Sequence, residues 1–102
     1  LTKYKLLKSR IKKNEGYKSF AYFDQLGFPT IGYGHLIKPN EKIFFKQKLS
    51  KKFLLNIFNL DFNETVMQYE KNYHKYNFSN NIRDVLIEMI FQLGINGQKK
   101  FI

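Results

Sequence analysis

Apolar residues recur at helical spacing at the start of the chain. Tyr4, Leu7 and Ile11 fall on one face of residues 2–14, and lysines occupy the other faces. This pattern predicts an amphipathic helix over 2–14, with Glu15 leaving its end on the apolar side. Burial there would raise the pKa of the carboxylic acid and suit it to donate a proton. An acid that is solvated or paired with a nearby lysine is the structural alternative.

A hairpin or small meander is predicted to follow this helix. Gly16 suits a helix C-terminus, and Phe20–Phe23 has the composition of a short strand. Asp24–Gly27 has turn chemistry, with Asp at its start and Gly at its end. A second strand is predicted over Thr30–Leu36.

Two glycines alternate with larger residues in this predicted second strand. Alternation of side chains would place Thr30, Gly32, Gly34 and Leu36 on one face. The two glycines would leave that face bare, so that a polymeric ligand could approach the backbone beside a free Thr30 hydroxyl. The alternative is that the glycines mark a bulge or a tight bend. On the first interpretation, Glu15 and this face form the floor of a catalytic cleft.

A long helix is predicted over 51–72, with Ser50 as its N-cap. Its first half is apolar on nearly all sides, which is typical of a helix that packs on more than one side and joins two lobes. Asp61 lies inside that half and requires a partner, for which His35 is a candidate. The preceding residues 43–49 are apolar and basic, and their pattern leaves a strand and a short helix open.

A final helix is predicted over 80–93, capped by Ser79 and ended by Gly94. Phe91 points away from its apolar stripe, towards either a further element or a ligand. The stripe consists of Ile82, Val85, Leu86, Met89, Ile90 and Leu93.

Length and composition narrow the class of protein to which the chain can belong. The 102 residues suffice for one domain, and 43% hydrophobic content argues against disorder. The absence of cysteine excludes thiolate chemistry and disulfides, and two scattered histidines argue against a metal site. The pattern contains no membrane span and no phosphate-binding loop.

The net charge of +10 lies entirely in the first half of the chain. Residues 1–52 hold thirteen Lys and Arg against three acids, whereas residues 53–102 hold five of each. A basic half suggests a nucleic acid, an anionic lipid or an acidic cell-wall polymer as partner, although a lysine-rich solvated surface explains it equally well. No nucleic-acid recognition motif is present, and no nucleic acid is expected.

With these residues in view, the chain resembles the phage-type lysozymes of glycoside hydrolase family 24, including those of T-even phages. The first match consists of Glu15-Gly16, Tyr22-x-Asp24 and Gly27-x-x-Thr30-Ile31-Gly32-x-Gly34-His35-Leu36. A second match covers residues 81–94, which resemble the family's helix opposite the cleft.

The resemblance implies an α+β, lysozyme-like fold in a single domain over 1–102. An N-terminal lobe would span about 1–49, a connecting helix 50–73, and the start of a helical C-terminal lobe 74–102. Family members continue with further helices after this point. The resemblance therefore implies a fragment, a truncated relative, or a chain whose C-terminal lobe a partner chain completes; otherwise a monomer is expected.

The resemblance also implies a reaction and a place of action. The reaction is hydrolysis of the β-1,4 bond between N-acetylmuramic acid and N-acetylglucosamine in bacterial peptidoglycan, with inversion and without a cofactor. An endolysin of this kind passes from the host cytoplasm to the cell wall. The alternative is a weak or inactive remnant that serves as a wall-binding or partner-completed module.

Roles for individual residues follow from the same resemblance. Glu15 would be the general acid, Asp24 the second carboxylate, and Thr30 the residue that holds the attacking water. Leu36 and Phe91 match positions that touch the saccharide. His35 and Asp61 match a structural ion pair.

Overall fold

The computed structural model describes residues 2–101, which form three helices, two 3₁₀ segments and a small antiparallel sheet. The predicted α+β fold class is thereby confirmed, with a long helix after the sheet as in lysozyme-like folds. In chain order the elements are a 3₁₀ turn Thr2–Tyr4, α1 Lys5–Glu15, β1 Lys18–Phe23, β2 Pro29–Gly32, β3 His35–Leu36, a 3₁₀ segment Pro39–Phe45, α2 Lys51–Tyr73 and α3 Asn80–Lys99.

The chain divides into two compact units, with a boundary inside α2. One unit is Ser9–Leu60 and contains the sheet; we call it the sheet unit. The other contains residues 2–8 and 61–101 and is helical; we call it the helical unit. The lobe boundaries predicted from the family resemblance stay a prediction.

The amphipathic pattern of the first helix is confirmed. Tyr4, Leu7 and Ile11 are buried. Their burial removes apolar surface from water and holds the helix in place. The helix ends where the Gly16 N–H donates to the Lys12 carbonyl at 3.0 Å, so Glu15 is the last helical residue.

The sheet has the order β1-β2-β3, and the predicted continuous strand over Thr30–Leu36 is wrong. β2 ends at Gly32, and the chain turns back so that Ile31 pairs with His35. Gly32 and Gly34 have φ of +68° and +82°, a conformation that glycine adopts without steric cost and that an extended strand does not contain. The alternative interpretation of the glycines, a tight bend, is correct.

The core of the sheet unit lies between the sheet and the first half of α2. Ile31, Ile37 and Leu54 are buried together. The partly buried side chains packed against them are Ala21, Phe44, Leu49 and Ile57. Residues 43–45, which the pattern left open, belong to the 3₁₀ segment, and this segment contributes Phe44 to the core.

The helical unit is built from aromatic side chains and the buried side of α3. The Tyr4 and Phe62 rings meet edge to face with centroids 5.5 Å apart. The Arg83 guanidinium lies 4.9 Å from the Tyr4 ring centroid, within cation–π distance. Phe62, Tyr69, Tyr73, Leu86, Ile87 and Ile90 are buried.

Helix α3 differs from its prediction in two ways. The Ser79 cap is confirmed, since its Oγ accepts the Ile82 N–H, but the helix resumes after a break at Gly94 and continues to Lys99. The apolar stripe is only partly core, because Ile82, Val85 and Leu93 are about half exposed. The buried side instead includes Ile87, which lies off the predicted stripe.

The Glu41 carboxylate ties the 3₁₀ segment to β3. Its Oε1 accepts the Lys38 N–H at 2.8 Å and lies 3.0 Å from His35 Nε2, which must donate to it. Burial by itself would raise the pKa of Glu41, but the hydrogen bonds from Lys38 and His35 outweigh burial, so the pKa lies below its ordinary value.

Replacing Glu41 by Gln is therefore expected to lower the melting temperature at neutral pH, by an amount equivalent to about 1 kcal/mol. Because the folded-state pKa is lowered, the carboxylate stabilises the fold above its unfolded-state pKa and loses that effect as pH falls through the folded-state value. The melting curves of wild type and Glu41→Gln should converge at acid pH. The exposed Glu64→Gln variant is the control; an equal loss there, or a gap that does not close on acidification, would contradict the assignment.

Candidate active site

Glu15 lies at the end of α1 against the turn between β2 and β3. It is partly buried. A Cβ placed on Gly34 would lie only 2.5 Å from Glu15 Oε1 and 2.9 Å from its Cδ. A side chain at position 34 would displace the Glu15 carboxyl group, so glycine at this position is what lets that group lie against the turn between β2 and β3.

Asp24 is held by the turn between β1 and β2. Its Oδ1 accepts two backbone hydrogen bonds, from the Leu26 N–H at 2.9 Å and from the Phe28 N–H at 2.8 Å. Oδ2 accepts no hydrogen bond from residues 2–101. The turn therefore orients the carboxylate and leaves one oxygen for a ligand.

Thr30 is buried, with 5% of its surface exposed. The strand pattern predicted a free hydroxyl, but the Thr30 hydroxyl has a hydrogen-bond partner. Oγ1 donates to the Phe28 carbonyl at 2.9 Å. A hydroxyl that has donated its hydrogen still has lone pairs, so Thr30 can accept a hydrogen bond from a ligand or a water. The internal hydrogen bond thus makes Thr30 an acceptor, not a donor, towards a ligand or a water.

The peptide groups of Phe28 connect the two candidates. The Phe28 N–H donates to Asp24 Oδ1, and the Phe28 carbonyl accepts from both the Asp24 N–H at 2.9 Å and the Thr30 hydroxyl. One residue therefore orients a carboxylate and a hydroxyl at the same time. Residue patterns could not reveal this contribution, because the backbone of Phe28 makes it and its side chain takes no part.

Tyr22 is a further residue of the site that the pattern did not single out. Tyr22 pairs with Thr30 across β1 and β2, and Thr30 pairs with Leu36 across β2 and β3. Directly opposed residues share a face of a sheet, so these three form one row. The signal that was available is its position two residues before Asp24 in the family motif.

The phenol of Tyr22 also senses both candidate acids. Burial raises the pKa of Tyr22, and the charges of Glu15 and Asp24 raise it further. Electrostatic effects of this kind fall off with distance. Tyr22 therefore reports on both carboxylates within the sheet unit.

The four residues predicted to contact the saccharide differ in how exposed they are and in what they pack against. Gly32 is buried, and a Cβ there would lie 3.2 Å from Leu54 Cδ2, so its glycine serves packing against α2. Leu36 is 53% exposed in the same row as Thr30. Phe91 is partly buried in the helical unit. The saccharide contacts of Gly32, Gly34, Leu36 and Phe91 stay predictions, although the alternating-face argument for the glycines is wrong.

His35 is buried on the other face of the hairpin and pairs with Glu41, a partner that the sequence pattern did not indicate. Asp61 belongs to the helical unit, and the predicted pair of His35 with Asp61 stays a prediction. No three His, Cys, Asp or Glu side chains in residues 2–101 come together as a possible metal site.

Comparison with known proteins identifies the family. A model of the family described as phage lysozyme matches residues 12–101, a range that contains Glu15, Asp24 and Thr30. The chain belongs to the phage lysozyme family. Membership assigns this phage lysozyme a role as a cell-wall hydrolase with bacterial peptidoglycan as its substrate. A search of curated proteins finds no significant match.

The pKa of Tyr22 in this phage lysozyme should fall when a neighbouring carboxylate is neutralised. Glu15→Gln is expected to lower it, and Asp24→Asn to lower it less, because the Glu15 charge has the larger effect. The measurement is an NMR titration of the tyrosine Cζ resonances, assigned with Tyr22→Phe. Tyr69, whose pKa is raised by burial and by Glu70, is the internal control. A Tyr22 pKa that is unchanged in both variants would contradict the placement of the acids.

Crowding at Gly34 can be separated from backbone strain by comparison with Gly27. Both have positive φ, +82° and +85°, but a Cβ on Gly27 would meet no atom within 4 Å. Gly27→Ala should therefore lower the free energy of unfolding by about 1 kcal/mol through strain alone. Gly34→Ala should lower it by roughly a further 0.5–1.5 kcal/mol, because its Cβ forces the flexible end of the Glu15 side chain into another conformation. Urea unfolding measures both losses; a smaller loss in Gly34→Ala than in Gly27→Ala would contradict the close contact.

Proposed function

We propose that this phage lysozyme hydrolyses the β-1,4 bond between N-acetylmuramic acid and N-acetylglucosamine with inversion, as in glycoside hydrolase family 24. The observation that carries the proposal is the hydrogen bonding of Phe28 to Asp24 and Thr30 at one end of β2, while Glu15 lies against the turn that follows β2. An inverting glycosidase needs an acid on one side of the scissile bond, and a carboxylate with a bound water on the other. Together the end of α1 and the sheet offer groups for both tasks.

In this mechanism Glu15 donates a proton to the leaving glycosidic oxygen. The free Oδ2 of Asp24 accepts one hydrogen of the attacking water and takes up that proton as the new C–O bond forms. Thr30 accepts the second hydrogen of the water, because its own hydrogen is already donated to the Phe28 carbonyl. The water thereby keeps a lone pair for attack on the anomeric carbon.

The Asp24 carboxylate also stabilises the positive charge that develops on the sugar ring. Its two backbone hydrogen bonds orient it before substrate arrives, and preorganised groups need not rearrange during the reaction. Tyr22, which lies in the Thr30 row, would line the same surface. Leu36, exposed at the end of the row, is the proposed apolar contact for a sugar ring.

A second proposal concerns the outer side of α3. Ile82, Val85 and Leu93 are about half exposed on it, and apolar side chains at this spacing are typical of a helix that packs against another. This supports the prediction that further helices or a partner chain complete the C-terminal lobe.

Replacing Glu15 by Gln should lower the rate of lysis of purified cell walls by about 10²–10⁴-fold, because the amide cannot donate a proton as an acid does. Glu64→Gln is the matched control, since it makes the same change at an exposed acid of α2 and should leave the rate unchanged. Turbidity loss measures the rate, new reducing ends identify the bond, and the initial product anomer reports inversion.

Equal lysis by wild type and Glu15→Gln would overturn the catalytic assignment, since a basic protein can disrupt walls by charge alone. Wall binding without new reducing ends would instead favour the alternative of a non-catalytic wall-binding module. Retention of the anomeric configuration would leave hydrolysis in place and overturn the inverting mechanism.

A further inference from the structure

A lysine-rich stretch follows Glu41 and has no part in the proposed reaction. Between Glu41 and Asp61 the sequence has five lysines and no acid. All five side chains are exposed. They are Lys42, Lys46, Lys48, Lys51 and Lys52.

Large apolar side chains are exposed among the first of these lysines. Ile43 is 55% exposed and Phe45 is 49% exposed, although the 3₁₀ segment that carries them also contributes Phe44 to the core. The neighbouring strand β1 adds Phe20, which is 59% exposed. Exposed apolar side chains in one region of a protein surface commonly mark an interaction site.

The two elements that carry these side chains are fastened together. The 3₁₀ segment packs against β1, and the Leu49 N–H donates to the Ser19 carbonyl of β1 at 3.2 Å. Exposed apolar and cationic residues therefore occur together on two elements of the sheet unit that pack against each other. We call this the basic-aromatic surface; it consists of Phe20, Lys42, Ile43, Phe45, Lys46 and Lys48.

A groove of about 390 Å³ borders the surface. Ile43, Leu49 and Phe53 contribute apolar groups to its lining, and Lys48 contributes a cation. Phe44 braces the groove, because its ring meets that of Phe53 edge to face at 6.0 Å. The groove thus combines apolar walls with a positive charge, as the surface around it does.

We propose that the basic-aromatic surface docks on a bilayer of anionic phospholipid. Lysines near a negatively charged leaflet are attracted to it, and apolar side chains beside them can enter the boundary between headgroups and acyl chains. A purely polar polyanion would attract the lysines but leave Phe20, Ile43 and Phe45 in water. A membrane satisfies both kinds of group, which is the reason to prefer lipid over nucleic acid or a wall polymer.

The contact is peripheral. Within the described chain, every helix is too short or too polar to cross a bilayer. The surface also shares no residue with Glu15, Asp24 and Thr30. Lipid docking therefore goes beyond the proposed hydrolysis and can be tested without it.

The test is cosedimentation of the whole chain with vesicles. Vesicles of phosphatidylcholine alone are compared with vesicles containing an equal part of phosphatidylglycerol, at low and high salt. We expect binding to the anionic vesicles, weakened by salt because the charges are exposed. The triple variant Lys42→Gln, Lys46→Gln, Lys48→Gln should reduce partitioning by about fivefold per lysine, roughly a hundredfold in all. The double variant Ile43→Ser, Phe45→Ser should reduce it by about tenfold or more.

Matched controls come from elsewhere in the chain. Lys71→Gln, Lys75→Gln, Lys99→Gln removes three exposed lysines of the helical unit. Leu60→Ser, Met67→Ser removes two apolar side chains of α2 that are 68% and 70% exposed. Both should bind the anionic vesicles nearly as well as wild type, and so should Glu15→Gln. Circular dichroism verifies that each variant is folded, and the lysine variants alter only exposed side chains.

Three results would overturn the proposal. Equal losses in the surface and control variants would assign binding to net charge. Loss in the lysine variant with none in the apolar variant, together with full competition by soluble polyphosphate, would identify a polar polyanion as the ligand. Absence of binding to anionic vesicles at low salt would exclude docking altogether. Lysis of lipid-free cell walls by Glu15→Gln relative to wild type tests the enzyme independently.

Discussion

The close approach of Glu15 to the turn at Gly34 is the contact on which the candidate site depends. A Cβ at position 34 would lie 2.5 Å from the carboxyl oxygen, and one at position 32 would lie 3.2 Å from the Leu54 side chain. The same turn therefore brings the hairpin against the end of α1 and against α2. Positive φ at both positions closes the turn at little cost only with glycine. Packing against α2 thus favours glycine at position 32, and space for the Glu15 carboxyl group favours it at position 34.

Backbone groups orient the other members of the site. Asp24 receives two N–H groups of its own turn, and Thr30 gives its hydrogen to the Phe28 carbonyl. Short local hydrogen bonds of this kind cost little chain entropy, since the loops they close are small. The arrangement leaves one carboxylate oxygen and the hydroxyl lone pairs available. A site built this way is set before the substrate binds, which is where electrostatic catalysis gains most.

The uneven charge of the chain has a structural counterpart. The sheet unit contains all three acids of the basic half, and each has a defined contact within it: Glu15 with the turn at Gly34, Asp24 with its own turn, and Glu41 with Lys38 and His35. The lysines between Glu41 and Asp61 are exposed beside apolar side chains. The proposed lipid contact and the proposed reaction thus use different residues of one small unit.

The periodicity of the apolar residues and the helix-capping residues determined much of the secondary structure of this protein. The buried face of the first helix, the α+β class and two helix caps could be predicted, because each rests on local spacing or on a contiguous motif. In these caps the Ser50 Oγ accepts the Phe53 N–H, and the Ser79 Oγ accepts the Ile82 N–H. The roles of Glu15, Asp24 and Thr30 stay a prediction from the motif. The strand predicted from alternating side chains was wrong at residues 30–36. A chain reversal at two glycines has the same residue pattern as a continuous strand and differs from it in φ. The row of Tyr22, Thr30 and Leu36, the Phe28 hydrogen bonds and the Glu41 partner of His35 were decided by tertiary structure. Cross-strand register and backbone hydrogen bonds join residues that no local pattern connects.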